Sequence, residues 1–274
     1  MAEYPALDIE IAPPAGNSLY DRLYALLDDY QPAAIDPAED GGHWRVFFKS
    51  ANQRDAAFAA LAAIREVRAS AVEVADEDWA RRTQENLRAI EAGRLIIAPP
   101  WDIPRGGKAV IVIEPSTGFG TGHHATTRLC LVLLQQLDLR RARVLDVGTG
   151  SGVLALAAWK LGAVDVVAVD NDRDALDNAR ENIARNGAAA AIDIIRDDLD
   201  SLRIQRADVV LANLTGAVLV RYAEELHSLV VNGGHLIVSG FAPDDTAVIA
   251  RALAGMNVIA EKREGDWAAL TLRR

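Results

Sequence analysis

Three glycines at alternate positions, Gly148, Gly150 and Gly152, follow the apolar stretch Val144-Leu-Asp-Val147 and precede a helix-favouring run. Without a Cβ the backbone can pass close under a ligand, and the free N–H groups of the following helix point at whatever sits above. Asp170 closes the next strand-like run about twenty residues on, where a carboxylate accepts both hydroxyls of a ribose and disfavours a 2′-phosphate. These residues point to a nucleotide-type ligand. Asp146 either orients an amino group of that ligand or fixes the loop by accepting backbone N–H bonds.

The glycine spacing narrows the ligand. A dinucleotide fingerprint reads G-x-G-x-x-G, with the third glycine allowing close helix packing beside a pyrophosphate, whereas Gly148-Thr-Gly-Ser-Gly152 reads G-x-G-x-G. That form resembles the nucleoside loop of class I methyltransferases, which implies S-adenosyl-L-methionine as the cofactor and opposes an NAD-dependent dehydrogenase.

A second constellation is Glu114-Pro-Ser-Thr-Gly-Phe-Gly-Thr-Gly-His-His-Ala-Thr-Thr127, placed just before an apolar helix. It reads as a flexible lid whose hydroxyls reach a ligand. Phe119 is placed to stack on an adenine or to pack under the loop. Thr126 and Thr127 either cap the helix or contact the cofactor, and the two roles are compatible. His123 or His124 is a candidate general base, set against a role in fixing the loop. The third constellation is Ala212-Asn-Leu-Thr215 after an apolar strand. An Asn at the carboxyl end of a central strand faces the crevice where open α/β sheets bind ligands, so Asn213 is placed to hydrogen-bond an incoming amine; the alternative is a helix N-cap. Asp197 or Asp198 is positioned for an adenine amino group or for a solvated turn.

The elements that must hold these residues fall into two groups. Residues 5–74 read as βαββαβ, a ferredoxin-like sandwich: strand-like Leu7–Ile11, a stretch with Leu19, Leu23, Leu26 and Leu27 at helical spacing, a short apolar segment near Ala33–Ile35, Trp44–Phe48, helical Ala56–Ile64 and an alternating edge strand Val67–Val74. A polar, helix-favouring segment, Glu77–Glu91, connects this unit to the rest. Short strands Leu95–Ala98 and Ala109–Ile113 follow. Buried strands at 143–147, 165–170, 191–196, 208–212 and 235–239 then alternate with helices near 124–137, 152–161, 172–186 and 216–231, the pattern of a doubly wound, Rossmann-like parallel sheet. A helix at 246–253 and strands 256–261 and 267–272 finish it with a hairpin. The expected domains are a ferredoxin-like unit over 1–75, a helical linker over 76–92 and a catalytic unit over 93–274.

Composition excludes several classes. The chain has 274 residues, half of them apolar, enough for a sizeable core. No apolar run reaches the ~18 residues of a membrane span, and Met1-Ala-Glu-Tyr-Pro lacks the basic start of a signal peptide, so the expected compartment is the cytoplasm. Cys130 is the single cysteine and the five histidines show no ligand spacing, so no metal is expected. A net charge of −10 argues against direct nucleic-acid binding, which needs clustered Lys and Arg, and suits a basic protein partner or mere solubility.

Together these residues closely resemble the bacterial PrmA family, methyltransferases that modify ribosomal protein L11. The most specific element is Gly118-Phe-Gly-Thr-Gly-His-His-Ala-Thr-Thr127 with Leu129-Cys-Leu131. Gly148–Gly152, Lys160-Leu-Gly-Ala163, Asn182–Gly187, Ala212-Asn-Leu214 and Val238-Ser-Gly240 agree with the family in the same order. The family usually has Cys where Thr149 stands and Thr-His-Pro where this chain has His123-His124-Ala125. The resemblance implies that Thr127, Gly148, Asp170 and Asn213 contact S-adenosyl-L-methionine, that the N-terminal unit grips L11, and that lysine and N-terminal amino groups are methylated. The alternative is the same chemistry on a different protein lysine or a small molecule.

Overall fold

The computed structural model describes residues 3–12, 17–28, 30, 32–37, 42–48, 50–75, 87–114 and 124–274. The chain divides into two compact units, Met1–Leu87 and Arg88–Arg274.

The first unit runs β1 (Glu3–Ile11), α1 (Asn17–Asp28), β2 (Ala34–Pro37), β3 (His43–Phe47), α2 (Ala51–Leu61) and β4 (Val67–Ala75). Its strands pair antiparallel in the order β2-β3-β1-β4, the arrangement of a ferredoxin-like sandwich, with β4 at an edge. Period-2 alternation decides its core. Leu7, Ile9 and Ile11 join Trp44, Val46 and Phe48 on one face, which is covered by Leu19, Leu23 and Leu27 of α1 and Ala57 and Leu61 of α2. On β1, Asp8 accepts two bonds from Arg45 of β3, at 2.5 and 2.8 Å, and the first cause holding its carboxyl below the usual range is that hydrogen bonding.

The second unit opens with a three-stranded sheet in the order β5-β6-β7, formed by Ile90–Ala92, Leu95–Ala98 and Ala109–Val112. Most of the expected connecting helix falls on residues 76–86, outside the described residues. Its end is corrected: Ile90–Ala92 form a strand paired with β6, because Gly93 adopts φ +63° and turns the chain in a two-residue hairpin.

The main sheet has seven strands: β8 (Arg143–Val147), β9 (Asp165–Asp170), β10 (Ile192–Arg196), β11 (Ala207–Asn213), β12 (Val230–Phe241), β13 (Asn257–Glu264) and β14 (Trp267–Arg273), in the order β10-β9-β8-β11-β12-β14-β13. The pairs from β10 through β12 are parallel, and β14 runs antiparallel to β12 and β13. Alternate strand residues feed two cores. Val144, Val166, Ala168, Val209, Leu211 and Ile237 meet α3 (Ala125–Leu134), α4 (Val153–Lys160) and α5 (Arg173–Arg185) on one side. Leu145, Val147, Val167, Val210, Leu236 and Val238 meet α6 (Gly216–Arg221), α7 (Ala223–Leu229) and α8 (Thr246–Ala252) on the other. Burial on both faces explains why these strands read as unbroken apolar runs. The single helix expected over 216–231 is two, interrupted at Tyr222 with φ −106° and ψ 23°. Strand order reverses between β8 and β11, and a parallel sheet opens its ligand crevice at such a point, beyond the strands' carboxyl ends.

Candidate active site

β8 delivers the chain directly into the glycine loop. Gly148, Gly150 and Gly152 all have positive φ, +69°, +53° and +82°, a region in which a side chain strains the backbone. At Gly148 space forbids one as well. A Cβ on Gly148 would stand 2.4 Å from Leu214 Cδ2, and one on Gly152 would stand 3.4 Å from the Cβ of Ala179 on α5. The loop is thus held between the residue after Asn213 and a helix face, with a bare backbone side that a ligand can approach.

Two carboxylates brace it. Asp146 is buried, and its Oδ2 accepts from Thr149 Oγ1 at 2.7 Å and from Ala155 N–H at 3.0 Å. That satisfies the loop-fixing reading. Its Oδ1 is buried with no hydrogen-bond partner among the described residues, and burial, with Asp170 adding like charge, pushes the carboxyl up to about 6. An orphaned acceptor of this kind fits a ligand N–H. Asp170 Oδ2 accepts from Gly150 N–H at 3.0 Å and its Oδ1 from Asp172 N–H at 3.0 Å. A carboxylate offers roughly four lone-pair sites, so capacity remains for ribose hydroxyls. The orphaned oxygen, the glycine-rich loop and the half-used carboxylate together fit S-adenosylmethionine.

At the end of β11, Asn213 Nδ2 donates to Thr127 Oγ1 at 3.3 Å, and Thr127 is buried. The N-cap of α6 is Thr215, so the capping alternative for Asn213 does not hold. Nor do Thr126 and Thr127 cap α3. His124 does, its Nδ1 accepting from Thr126 N–H at 3.4 Å and lying 2.8 Å from Thr126 Oγ1, while its ring meets Trp267 edge-on at 4.8 Å. Burial first, and then Arg128, holds the His124 imidazole below its ordinary value, which suits a hydrogen-bond acceptor. Phe119 and His123 lie outside the described residues. Asp197 accepts from Ser201 Oγ at 2.5 Å and from Asp198 N–H at 2.8 Å, the pattern of a turn, and the Ser201 bond leads the causes that hold its carboxyl low.

The predicted residues therefore gather as two groups, the glycine loop with Asp146 and Asp170, and the pair Thr127–Asn213. Leu214 joins them. It follows Asn213, packs on Gly148, and donates its N–H to Ser239 O at 3.0 Å, while β12 passes it at Gly240, where a Cβ would stand 2.1 Å from Leu214 O. Sequence reasoning gave no role to Asn182. Fully buried on α5, it accepts from Glu114 N–H at 2.8 Å and donates to Ser151 O at 3.0 Å. Its signal was available as a polar residue on the apolar stripe Ala179, Asn182, Ile183.

A family model described as ribosomal protein L11 methyltransferase (PrmA) matches residues 33–274. The ribosomal protein L11 methyltransferase of Geobacter sulfurreducens is 43% identical over 205 residues, covering 73% of this chain and 67% of that protein. That of Deinococcus radiodurans is 38% identical over 217 residues, 74% of this chain and 79% of that one. The crystal structure of ribosomal protein L11 methylase from Lactobacillus delbrueckii subsp. bulgaricus matches with a TM-score of 0.64 at 30% identity, covering 69% of this chain and 99% of that chain. The chain belongs to the ribosomal protein L11 methyltransferase (PrmA) family.

Proposed function

We propose that the protein transfers methyl groups from S-adenosylmethionine to amino groups of ribosomal protein L11, on lysine side chains and at the N-terminus. The observation that carries this reading is the junction at Leu214, the residue after the amide-bearing Asn213, which packs on Gly148 of a glycine-rich loop braced by Asp170. When bound, S-adenosylmethionine supplies a methyl already activated on a sulfonium. The chain's own task is mostly positioning.

Gly148–Gly152 and Asp170 would hold the nucleoside, and Asp146 Oδ1 would accept from the ligand's amino group. Thr127 fixes Asn213 by accepting from its Nδ2, which directs the amide so that its carbonyl oxygen can accept an N–H of the incoming amine. An amide is no base. A lysine starts near pKa ~10.4, so its proton leaves to water before attack, and the crevice then keeps the neutral amine desolvated and aimed. The N-terminal ferredoxin-like unit is the reading's candidate for gripping L11, whether free or ribosome-bound, and the cytoplasm is the compartment where that substrate is met. No helix among the described residues is long and apolar enough to cross a membrane.

Incubating the protein with methyl-labelled S-adenosylmethionine and purified L11, then mapping the label by mass spectrometry, tests the reading. Label on lysine and N-terminal amines of L11 is expected. An unlabelled L11 beside a labelled second protein or small molecule in a whole extract would transfer the same chemistry to another substrate.

A further inference from the structure

We propose that Asn182 is a positioning residue: its primary amide, donor and acceptor at once, locks the glycine loop in the register that binds S-adenosylmethionine. The inference rests on the cofactor reading above.

The glycine loop has few side chains of its own to hold it. Its outer half, Ser151-Gly152, lies on α5, where Ala179 is small enough to admit Gly152 and Asn182 stands one turn on. Asn182 Nδ2 donates to Ser151 O at 3.0 Å and to Asn178 Oδ1 at 3.2 Å, while its Oδ1 accepts from Glu114 N–H at 2.8 Å. One amide thereby ties two chain segments far apart in sequence, the exit of β7 and the cofactor loop. Asn186, one turn further, clamps only the first of them: it accepts from Val112 N–H at 2.9 Å and donates to Val112 O at 2.7 Å. An ion pair between Arg185 and Glu114, at 2.8 Å, reinforces the same exit. Asn186, the half-buried C-cap of α5, also donates to Asn182 O at 2.8 Å, and serves as a comparison: the same amide, bonded to the same exit, without a bond to the glycine loop.

The polarity of the amide matters as much as its bonds. A carboxylate in its place still accepts from Glu114 N–H but turns negative oxygen toward the Ser151 carbonyl. Buried, such a carboxyl has a raised pKa, and its protonated form regains the missing donor.

Binding of S-adenosylhomocysteine, the unreactive product, is measured by calorimetry for the wild type, Asn182→Ala, Asn186→Ala and Asn182→Asp, with folding checked by circular dichroism. Asn182→Ala is expected to weaken binding about tenfold, the worth of losing the amide bridge between Ser151 O and Glu114 N–H, and Asn186→Ala by less than about threefold. Asn182→Asp is expected to recover affinity relative to the wild type as pH falls from about 8 to about 6. Equal losses in the two alanine variants, or a folded Asn182→Asp whose ratio to the wild type is flat with pH, overturn the proposal. If Asn182→Asp does not fold, the alanine pair decides alone. A wild type that does not bind the probe overturns the cofactor reading and this inference together, whereas a wild type that binds no better than Asn182→Ala overturns the inference only.

Discussion

The two halves of the crevice are built to different standards of rigidity. On the glycine-loop side the braces are multiple: Asp146 Oδ2 takes two bonds, Asp170 takes one on each oxygen, and Asn182 takes three, with Asp146 Oδ1 left as an open acceptor. On the acceptor side, among the described residues, one 3.3 Å bond joins Asn213 to Thr127 of α3. A site that binds one invariant cofactor gains from fixed geometry, since ordering is completed before the ligand arrives. A site that accepts more than one amine gains from a hydrogen-bonding group that is aimed but not saturated. Among the described residues, the two sides therefore differ in how many bonds each already makes.

Substitutions can break that contrast or sharpen it. The largest effect is expected at the frame common to both sides: Gly240→Ala puts a Cβ 2.1 Å from Leu214 O at a backbone with φ +103°, and should cost about 3 kcal/mol or more in denaturant unfolding. A loss under about 1 kcal/mol would mean that Leu214 does not couple the halves. Next, Asp170→Asn removes charge from two backbone bonds and from the ribose side, and is expected to weaken S-adenosylhomocysteine binding about 100-fold while leaving the acceptor Michaelis constant nearly unchanged. An equal rise in both constants would erase the distinction between the two sides.

The Asp146 carboxyl gives a pH signature of similar sign logic. Burial pushes it up to about 6, above the ordinary carboxylate range, so the native state holds the proton more tightly. The associated stability is present below the unfolded pKa and is lost as pH rises through the folded one. Unfolding free energy of the wild type relative to Asp146→Asn should fall by about 2 kcal/mol between pH ~4 and ~7, and a flat difference would show that the carboxyl is not desolvated. The smallest effect is expected at Asn213→Ala: kcat on L11 should drop about tenfold with cofactor affinity within about threefold, and an equal loss of cofactor binding would assign Asn213 to the rigid side instead.

The glycine loop and Asp170 were readable because each is dictated by local backbone chemistry: alternate glycines at positive φ, and a carboxylate where an apolar strand ends. The parallel strands were readable because burial on both faces leaves uninterrupted apolar runs. Ile90–Ala92 escaped because three residues carry too little periodicity to outweigh a helix-favouring neighbourhood, and the signal was the turn at Gly93. His124 was read as a base or loop anchor and not as a cap, because Thr126 and Thr127 offered commoner capping chemistry. Asn182 escaped for a deeper reason. Its partners, Glu114 N and Ser151 O, are backbone groups 68 and 31 residues away, and no local pattern announces a bond to a distant carbonyl.

The placement of β14 between β12 and β13 has a consequence for synthesis. Strands β9 to β12 emerge in an order that lets each pair in parallel with a strand already made, but β12 gains its second partner only from residues 267–273. Until those residues leave the ribosome, the edge of β12 exposes a ladder flanked by Leu236, Ile237 and Val238, and β13 has nothing to pair with. The nascent chain therefore passes through a stage with an open, apolar sheet edge, and the strand that closes it is made after every other strand of this sheet.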